Sequence, residues 1–340
     1  MTTNFIVSTT IQPPTEATHK FIEFANRHGW LFVMVGDKKT PDDAYHALAA
    51  INRQFVYFSC VAQETMYPEV SEAIGWNCIQ RRNLGLLYAL ECGAEIIATV
   101  DDDNIPYDDW GQRIYVGNML TCPQYWQNDQ GNLPRVFDPL SATSHPELWH
   151  RGYPLECRET RHRIDCVEGC SKILVQANLW DGDPDIDAVA RIANGPLVSF
   201  DRRGPFVSVD LCPFNSQNTF LHRSVVPHYM VLPHVGRVDD IWGAYLMQAI
   251  LLREGKSHFV AFDDATVRQD RNKQNLVRNL EKEIFGYDNG LRFARACVDR
   301  SSPIEEVLGL LPKKARLAFD IYSKTASKLL SKRTEHQETT

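Results

Sequence analysis

Short apolar runs alternate with segments of helical period along the first hundred residues. Residues 4–9 (NFIVST), 30–35 (WLFVMV), 55–60 (FVYFSC) and 95–100 (EIIATV) read as buried strands. The segment 18–28 reads as a helix with Phe21, Ile22 and Ala25 on one face, stopped by Gly29. A second helix is expected from about 71 to 92, stopped by Gly93. Fully apolar strands alternating with helices predict an α/β fold with a mostly parallel sheet covered on both faces. In such sheets ligands collect beyond the carboxyl ends of the strands. Three of these strands end in polar groups, namely Ser8-Thr9-Thr10, Gly36-Asp37-Lys38 and Asp101-Asp102-Asp103-Asn104. These groups are expected to converge on one crevice.

The pattern weakens between about 105 and 165, a stretch rich in Pro, Trp, Tyr and Asn that reads as long ordered loops. Strands are expected at 173–176, 197–201, 206–209 and 257–262, and helices at 184–192 and 240–254. Beyond about 265 the chain reads as wholly helical with a polar tail. The division this suggests is an α/β unit at 1–265 and a helical C-terminal extension at 266–340.

Composition narrows the class. The 340 residues are 44% hydrophobic and 23% charged, with a formal net charge of -7. Such an acidic chain is not a general nucleic-acid binder, which needs a cationic face for phosphates. No run approaches the ~18 apolar residues of a membrane span, and the N-terminus does not read as a signal peptide. Nine scattered cysteines then read as reduced thiols in a cytoplasmic protein. Only Cys157, Cys166 and Cys170 cluster, without the spacing of a zinc knuckle.

The chemistry concentrates after 95–100. Side chains alternate along extended backbone, so Asp101 and Asp103 can face one way. Their oxygens suit Mn²⁺ or Mg²⁺, ions that also take oxygens from a ligand diphosphate. Arg81, Arg82 and Asn83 lie on the preceding helix, where an arginine can pair with diphosphate oxygens; a solvated helix face is the plain alternative. Asp37 is placed to accept a hydrogen bond from a nucleobase or ribose, unless it only shapes its turn.

The string QRRNLGLLYALECGAEIIATVDDDN, with VSTTIQPPT and VGDKKTP upstream, resembles the STELLO family of glycosyltransferases. RGYPLE, DGDPDID, PFNSQNT, RVDDIW and QDRNKQN continue the resemblance in order over residues 5–285. That family is distantly similar to the reversibly glycosylated polypeptides, the UDP-arabinopyranose mutases. The resemblance implies a GT-A-like fold, a DxD-type motif at Asp101–Asp103, and a nucleotide sugar, expected to be a UDP-sugar, held by Thr9, Thr10, Asp37, Lys38, Arg81, Arg82, Asn83, Asp101 and Asp102. The metal falls to Asp101 and Asp103. The plant members are Golgi membrane proteins, a location not carried over to this chain.

In RVDDIW, Asp239 is expected to cap a helix and Asp240 to serve as general base toward an acceptor hydroxyl, both ionised by the helix N-terminus. DGDPDID presents Asp181, Asp183, Asp185 and Asp187 either to a ligand or as a capped turn. Asn215, Gln217 and Asn218 are suited to reading sugar hydroxyls. Arg271 and Asn272 would close over the diphosphate, and His234 is a weaker metal-ligand candidate. Trp149, Tyr153 and Trp242 are candidates for stacking on a sugar. The basic segment 311–333 reads as a helix that either packs on the core or lies on the inner face of an anionic membrane, near a lipid-linked acceptor. The expected activity is metal-dependent transfer of a sugar to a glycan or lipid-linked acceptor. A nucleotide-sugar mutase and a non-catalytic sugar-nucleotide-binding protein are the rivals.

Overall fold

The computed structural model describes residues 3–128, 131–195, 197–270 and 274–338. Its first part comprises β1 (Thr3–Thr9), α1 (Glu16–His28), β2 (Leu31–Val35), α2 (Asp42–Ile51), β3 (Phe55–Phe58), α3 (Cys60–Met66), α4 (Pro68–Ile74), α5 (Arg82–Glu91) and β4 (Ala94–Val100). The middle adds β5 (Asn104–Pro106), β6 (Met119–Gln127), β7 (Ile164–Lys172), β8 (Val175–Ala177), β9 (Trp180–Gly182), α6 (Ala188–Asn194) and β10 (Phe206–Ser208). Then follow β11 (Asn218–His222), α7 (Asp239–Arg253), β12 (Val260–Phe262), β13 (Val267–Gln269), α8 (Leu276–Val298), α9 (Ile304–Gly309) and α10 (Lys313–Glu338).

Ten strands form one sheet in the order β3-β2-β1-β4-β11-β8-β12-β10-β6-β7. Strands β1 to β4 are parallel to one another, and their order 3-2-1-4 is that of doubly wound nucleotide-binding sheets. The chain reverses its direction of winding between β1 and β4, which opens a crevice beyond their carboxyl ends. The antiparallel β11 then extends the sheet past β4. A second sheet, β5-β13-β9, takes the chain that leaves β4 at the acidic cluster. The α/β layering follows the apolar runs: β2 and β4 are buried along most of their length. Helix α5 lies close on β1 and β2 because Gly85 has no side chain; a Cβ there would sit 2.5 Å from Val7 and 2.7 Å from Val35.

Several sequence expectations need correction. The helix expected over 71–92 is two helices, α4 and α5, because Gly75 (φ 79°) and Asn77 (φ 59°) take left-handed conformations that end the first. The expected loops at 105–165 contain β6, which pairs with β7 from Met119↔Lys172 to Gln127↔Ile164. No strand forms at 197–201, where Val198 makes only an isolated bridge to Gly182. The C-terminal part is not wholly helical, since β13 precedes α8.

One hydrophobic cluster runs from Phe5 to Ala326. Helix α10 packs on α4 and α5, burying Ala315, Ala318, Phe319, Tyr322 and Ala326. Its basic face is therefore that of a docked helix. Among the described residues no helix is long and apolar enough to cross a membrane.

Candidate functional site

At the carboxyl end of β4 the three aspartates part company. The Arg82 guanidinium donates to Asp101 Oδ1 at 2.5 Å. Asp102 turns to the other side, accepting from the Thr10 hydroxyl, while its backbone carbonyl accepts from Thr15 Oγ1 at 2.6 Å. Burial pushes the Asp102 carboxyl above its ordinary range. Asp103 faces the small sheet, 3.5 Å from Gln269 Nε2. Thr10 is thereby a clamp between β1 and the acidic turn, and Thr9 donates to the Val35 carbonyl at 3.0 Å.

Asp101 forms one wall of a polar cavity of about 230 Å³, also lined by Ile79, Arg151, Asp185, Ser216, Gln217, Val231, Arg237, Asp239, Asp240 and Gln274. Its frame is a chain of charges. Arg82 donates from Nη1 to the Ser216 carbonyl and hydroxyl at 2.8 and 2.6 Å. Asp240 Oδ2 accepts from the Ser216 amide at 3.1 Å. Arg151 donates to Asp240 Oδ1 at 2.9 Å and forks onto Asp185 at 2.9 and 3.0 Å. Asn215 Nδ2 donates to the same Asp185 at 3.0 Å. Arg151 and Ser216 carry the frame, yet nothing local marked them; both stand inside motifs whose neighbours drew the attention. Arg151 meets Asp240 across 89 residues.

Asp239 differs from the expectation. The N-cap of α7 is Val238, and Asp239 is the first residue of the helix. It accepts from Gln80 Nε2 at 2.7 Å and lies 3.6 Å from Arg151. Burial, and then the negative charge of Asp240, push its carboxyl up to about 7. The helix N-terminus therefore does not keep it fully ionised, because desolvation and a like charge outweigh the helix dipole. Asp240 is heavily engaged: Ser216 and Arg151 reach Oδ2, and Arg151 and the Ile241 amide reach Oδ1.

Other predicted residues do structural work. Arg81 is fully buried and donates to Gln63, Ser71 and the Gly75 carbonyl; burial lowers its pKa to about 10. It also stacks on Trp76, 3.6 Å from the ring centroid, with the Lys38 ammonium 5.2 Å from the same ring. Asn83 makes a two-way bridge with the Val231 backbone. Asp37 accepts from the amides of Lys38, Asn77 and Cys78, and so holds the turn that separates α4 from α5. Asn218 bonds Trp110, Leu179 and Thr266.

Within DGDPDID, Asp181 binds Tyr107 and the Phe200 amide, Asp183 pairs with Arg191, and Asp187 caps α6. Trp149, Tyr153 and Trp242 are all buried. Trp149 donates to Asp187, and Trp242 stacks on Phe293 at 4.1 Å, so these aromatics pack the core and do not present a face to a sugar. His234, in a left-handed conformation (φ 64°), lines an outer groove with α4 and α10 and not the polar cavity. Arg271 and Asn272 lie outside the described residues. Cys122, Cys157, Cys212 and Cys297 are buried thiols.

Comparison with known proteins places this site in context. The chain is 27% identical over 287 residues to the protein named probable glycosyltransferase STELLO2 of Arabidopsis thaliana, covering 79% of this chain. It is 26% identical over 270 residues to probable glycosyltransferase STELLO1 of the same plant, covering 75%. The chain is STELLO-like. It spans about a third of the length of these STELLO relatives, 36% and 34%. No family model matches. Among solved structures, a mycobacterial protein is 14% identical with a TM-score of 0.42, covering 86% of this chain and 74% of that one. The mannosyltransferase PcManGT from Pyrobaculum calidifontis, solved with GDP-Man and Mn²⁺, is 12% identical with a TM-score of 0.38, covering 98% and 75%.

Proposed function

We propose that this STELLO-like chain is a GT-A-like glycosyltransferase that takes a sugar from a nucleoside diphosphate, with UDP the leading candidate, and gives it to a hydroxyl acceptor. The observation that carries this reading is the position of Asp101: it ends β4 at the winding reversal of a 3-2-1-4 sheet and opens onto the polar cavity that holds Asp239 and Asp240. Residues 1–265 would be the nucleotide-sugar-binding unit and 266–340 its extension, with β13 and the start of α8 closing the site.

The donor set suits a divalent cation of the Mg²⁺ or Mn²⁺ kind. Asp101 offers hard carboxylate oxygens at the cavity wall, whereas Asp103 faces the small sheet, so the ion expected between the two would rest chiefly on Asp101. That matches a mode in which one or two carboxylates hold the ion and substrate phosphates supply much of the rest. When bound there, such an ion neutralises charge on a departing diphosphate. Arg82 orients Asp101 and leaves its Nε without a protein partner. Thr10 holds Asp102, so the acidic turn keeps one shape.

The general base is assigned to Asp239 in place of Asp240. A base works best when its pKa is near the working pH, and Asp239 is held near 7 while accepting from Gln80 Nε2. Asp240, with oxygens committed to Arg151 and Ser216, positions its neighbour and raises its basicity. Asp239 would take the proton of the acceptor hydroxyl as that oxygen bonds to the anomeric carbon and the bond to the diphosphate breaks. A thermal-shift series with UDP, Mn²⁺ and both together tests the site. Stabilisation is expected with the pair, and none at millimolar ligand would remove the proposal. Nuclear magnetic resonance of the donor without acceptor separates transferase from mutase, since only a mutase yields a new sugar nucleotide there.

A further inference from the structure

We infer that the sugar admitted beside Asp101 is uncharged or carries an amino group, and that sugars bearing a carboxylate are rejected. This inference rests on the nucleotide-sugar reading of the same site and goes beyond it to the class of sugar.

The cavity is lined by four carboxylates, those of Asp101, Asp185, Asp239 and Asp240. Among the described residues, two cationic side chains, Arg151 and Arg237, share that lining. Both are already committed. Arg151 donates to Asp185, to Asp240 and to the Arg237 carbonyl. Arg237 donates from Nε to the buried Glu283 at 3.1 Å and from Nη1 to Asn279 at 2.9 Å. Arg82 behind the wall is engaged by Asp101 and Ser216. A uronic acid would need a guanidinium fork or a lysine, and among the described residues no lysine lines the cavity.

What the walls still offer is mostly acceptor capacity. A carboxylate has about four lone-pair sites, and Asp239 accepts from Gln80 with the Arg151 guanidinium 3.6 Å away. Hydroxyl and ammonium groups donate to such oxygens. A carboxylate instead meets like charge in a space of about 230 Å³. Like-charge juxtaposition of this kind suppresses wrong partners.

The test uses donor pairs that differ only at C6, UDP-glucose with UDP-glucuronate and UDP-galactose with UDP-galacturonate. Each competes against labelled UDP on the full chain with Mn²⁺. The neutral member is expected to bind as well as UDP or better, and the uronate roughly 100-fold more weakly than its neutral partner. In Asp239→Asn the uronate should regain part of this loss relative to its neutral partner, with the variant's far-UV circular dichroism and thermal melt as the check on folding. A uronate that binds as tightly as its neutral partner overturns the inference while leaving the nucleotide site intact. Failure of UDP itself to bind removes the site reading instead, so the two failures are distinguishable.

Discussion

Arg81 and Arg82 are adjacent in sequence and opposite in use. Arg81 is sealed under α5 against Gln63 and Ser71, so Arg81→Lys should lower stability by about 2 kcal/mol while UDP affinity in the folded fraction stays constant. Arg82→Lys should weaken UDP binding in the presence of Mn²⁺, because it loses the fork that holds both Asp101 and Ser216. Calorimetric titration beside thermal melts separates the two. Asp239→Asn is expected to cost roughly 100-fold in transfer rate with the nucleotide still bound. The wild-type rate should climb as pH rises through about 7, where this carboxylate ionises. Stability should move the other way. Asp239 and Asp187 are both pushed up to about 7 by burial, so between about pH 4 and 7 the folded state holds more protons than the unfolded chain, and stability falls as pH rises. Melting temperature is expected to be higher at pH 5.5 than at pH 8, and Asp187→Asn, which keeps a capping oxygen, should flatten that slope.

At the scale of elements, the site depends on close backbone approaches that place α7. A Cβ on Gly243 would lie 2.0 Å from the Met230 carbonyl oxygen, a backbone atom that cannot swing aside. Gly243→Ala is therefore expected to cost about 1–3 kcal/mol and to slow transfer as well, because the first turn of the same helix carries Asp239 and Asp240. Paired melting and activity measurements would show both losses together; unchanged values would mean that α7 has slack the packing does not reveal. Asp37 plays a similar part by another route. Its carboxylate ties three amides of two separate turns, setting where α5 begins and hence where Arg82 points.

Across the whole molecule, the C-terminal helices close the structure from behind. Helix α8 holds Arg237 through Glu283 and Asn279, and α10 covers α4 and α5 with Phe319 and Tyr322. Removing residues after 311 would expose that apolar surface, each large side chain being worth about 1.5–3 kcal/mol when buried. The 1–311 form is expected to melt lower and to aggregate. Equal melting of both forms would show α10 to be energetically idle.

The sequence alone determined the N-terminal α/β layering, because buried parallel strands must be apolar runs and helices must repeat near 3.6 residues. It also singled out the acidic turn after EIIATV, since three aspartates beside a buried strand are locally visible. Only the tertiary structure decided which polar residues form the cavity. Asn83, Asn218, Asp37 and Arg81 have suitable chemistry but spend their groups on buried backbone and side chains, while Arg151 and Ser216 reach the cavity through contacts spanning 89 and 134 residues. The different surroundings of Asp239 and Asp240 have the same origin. Both sit at one helix start, and what separates them is the burial and the partners that other segments bring, which no local pattern encodes.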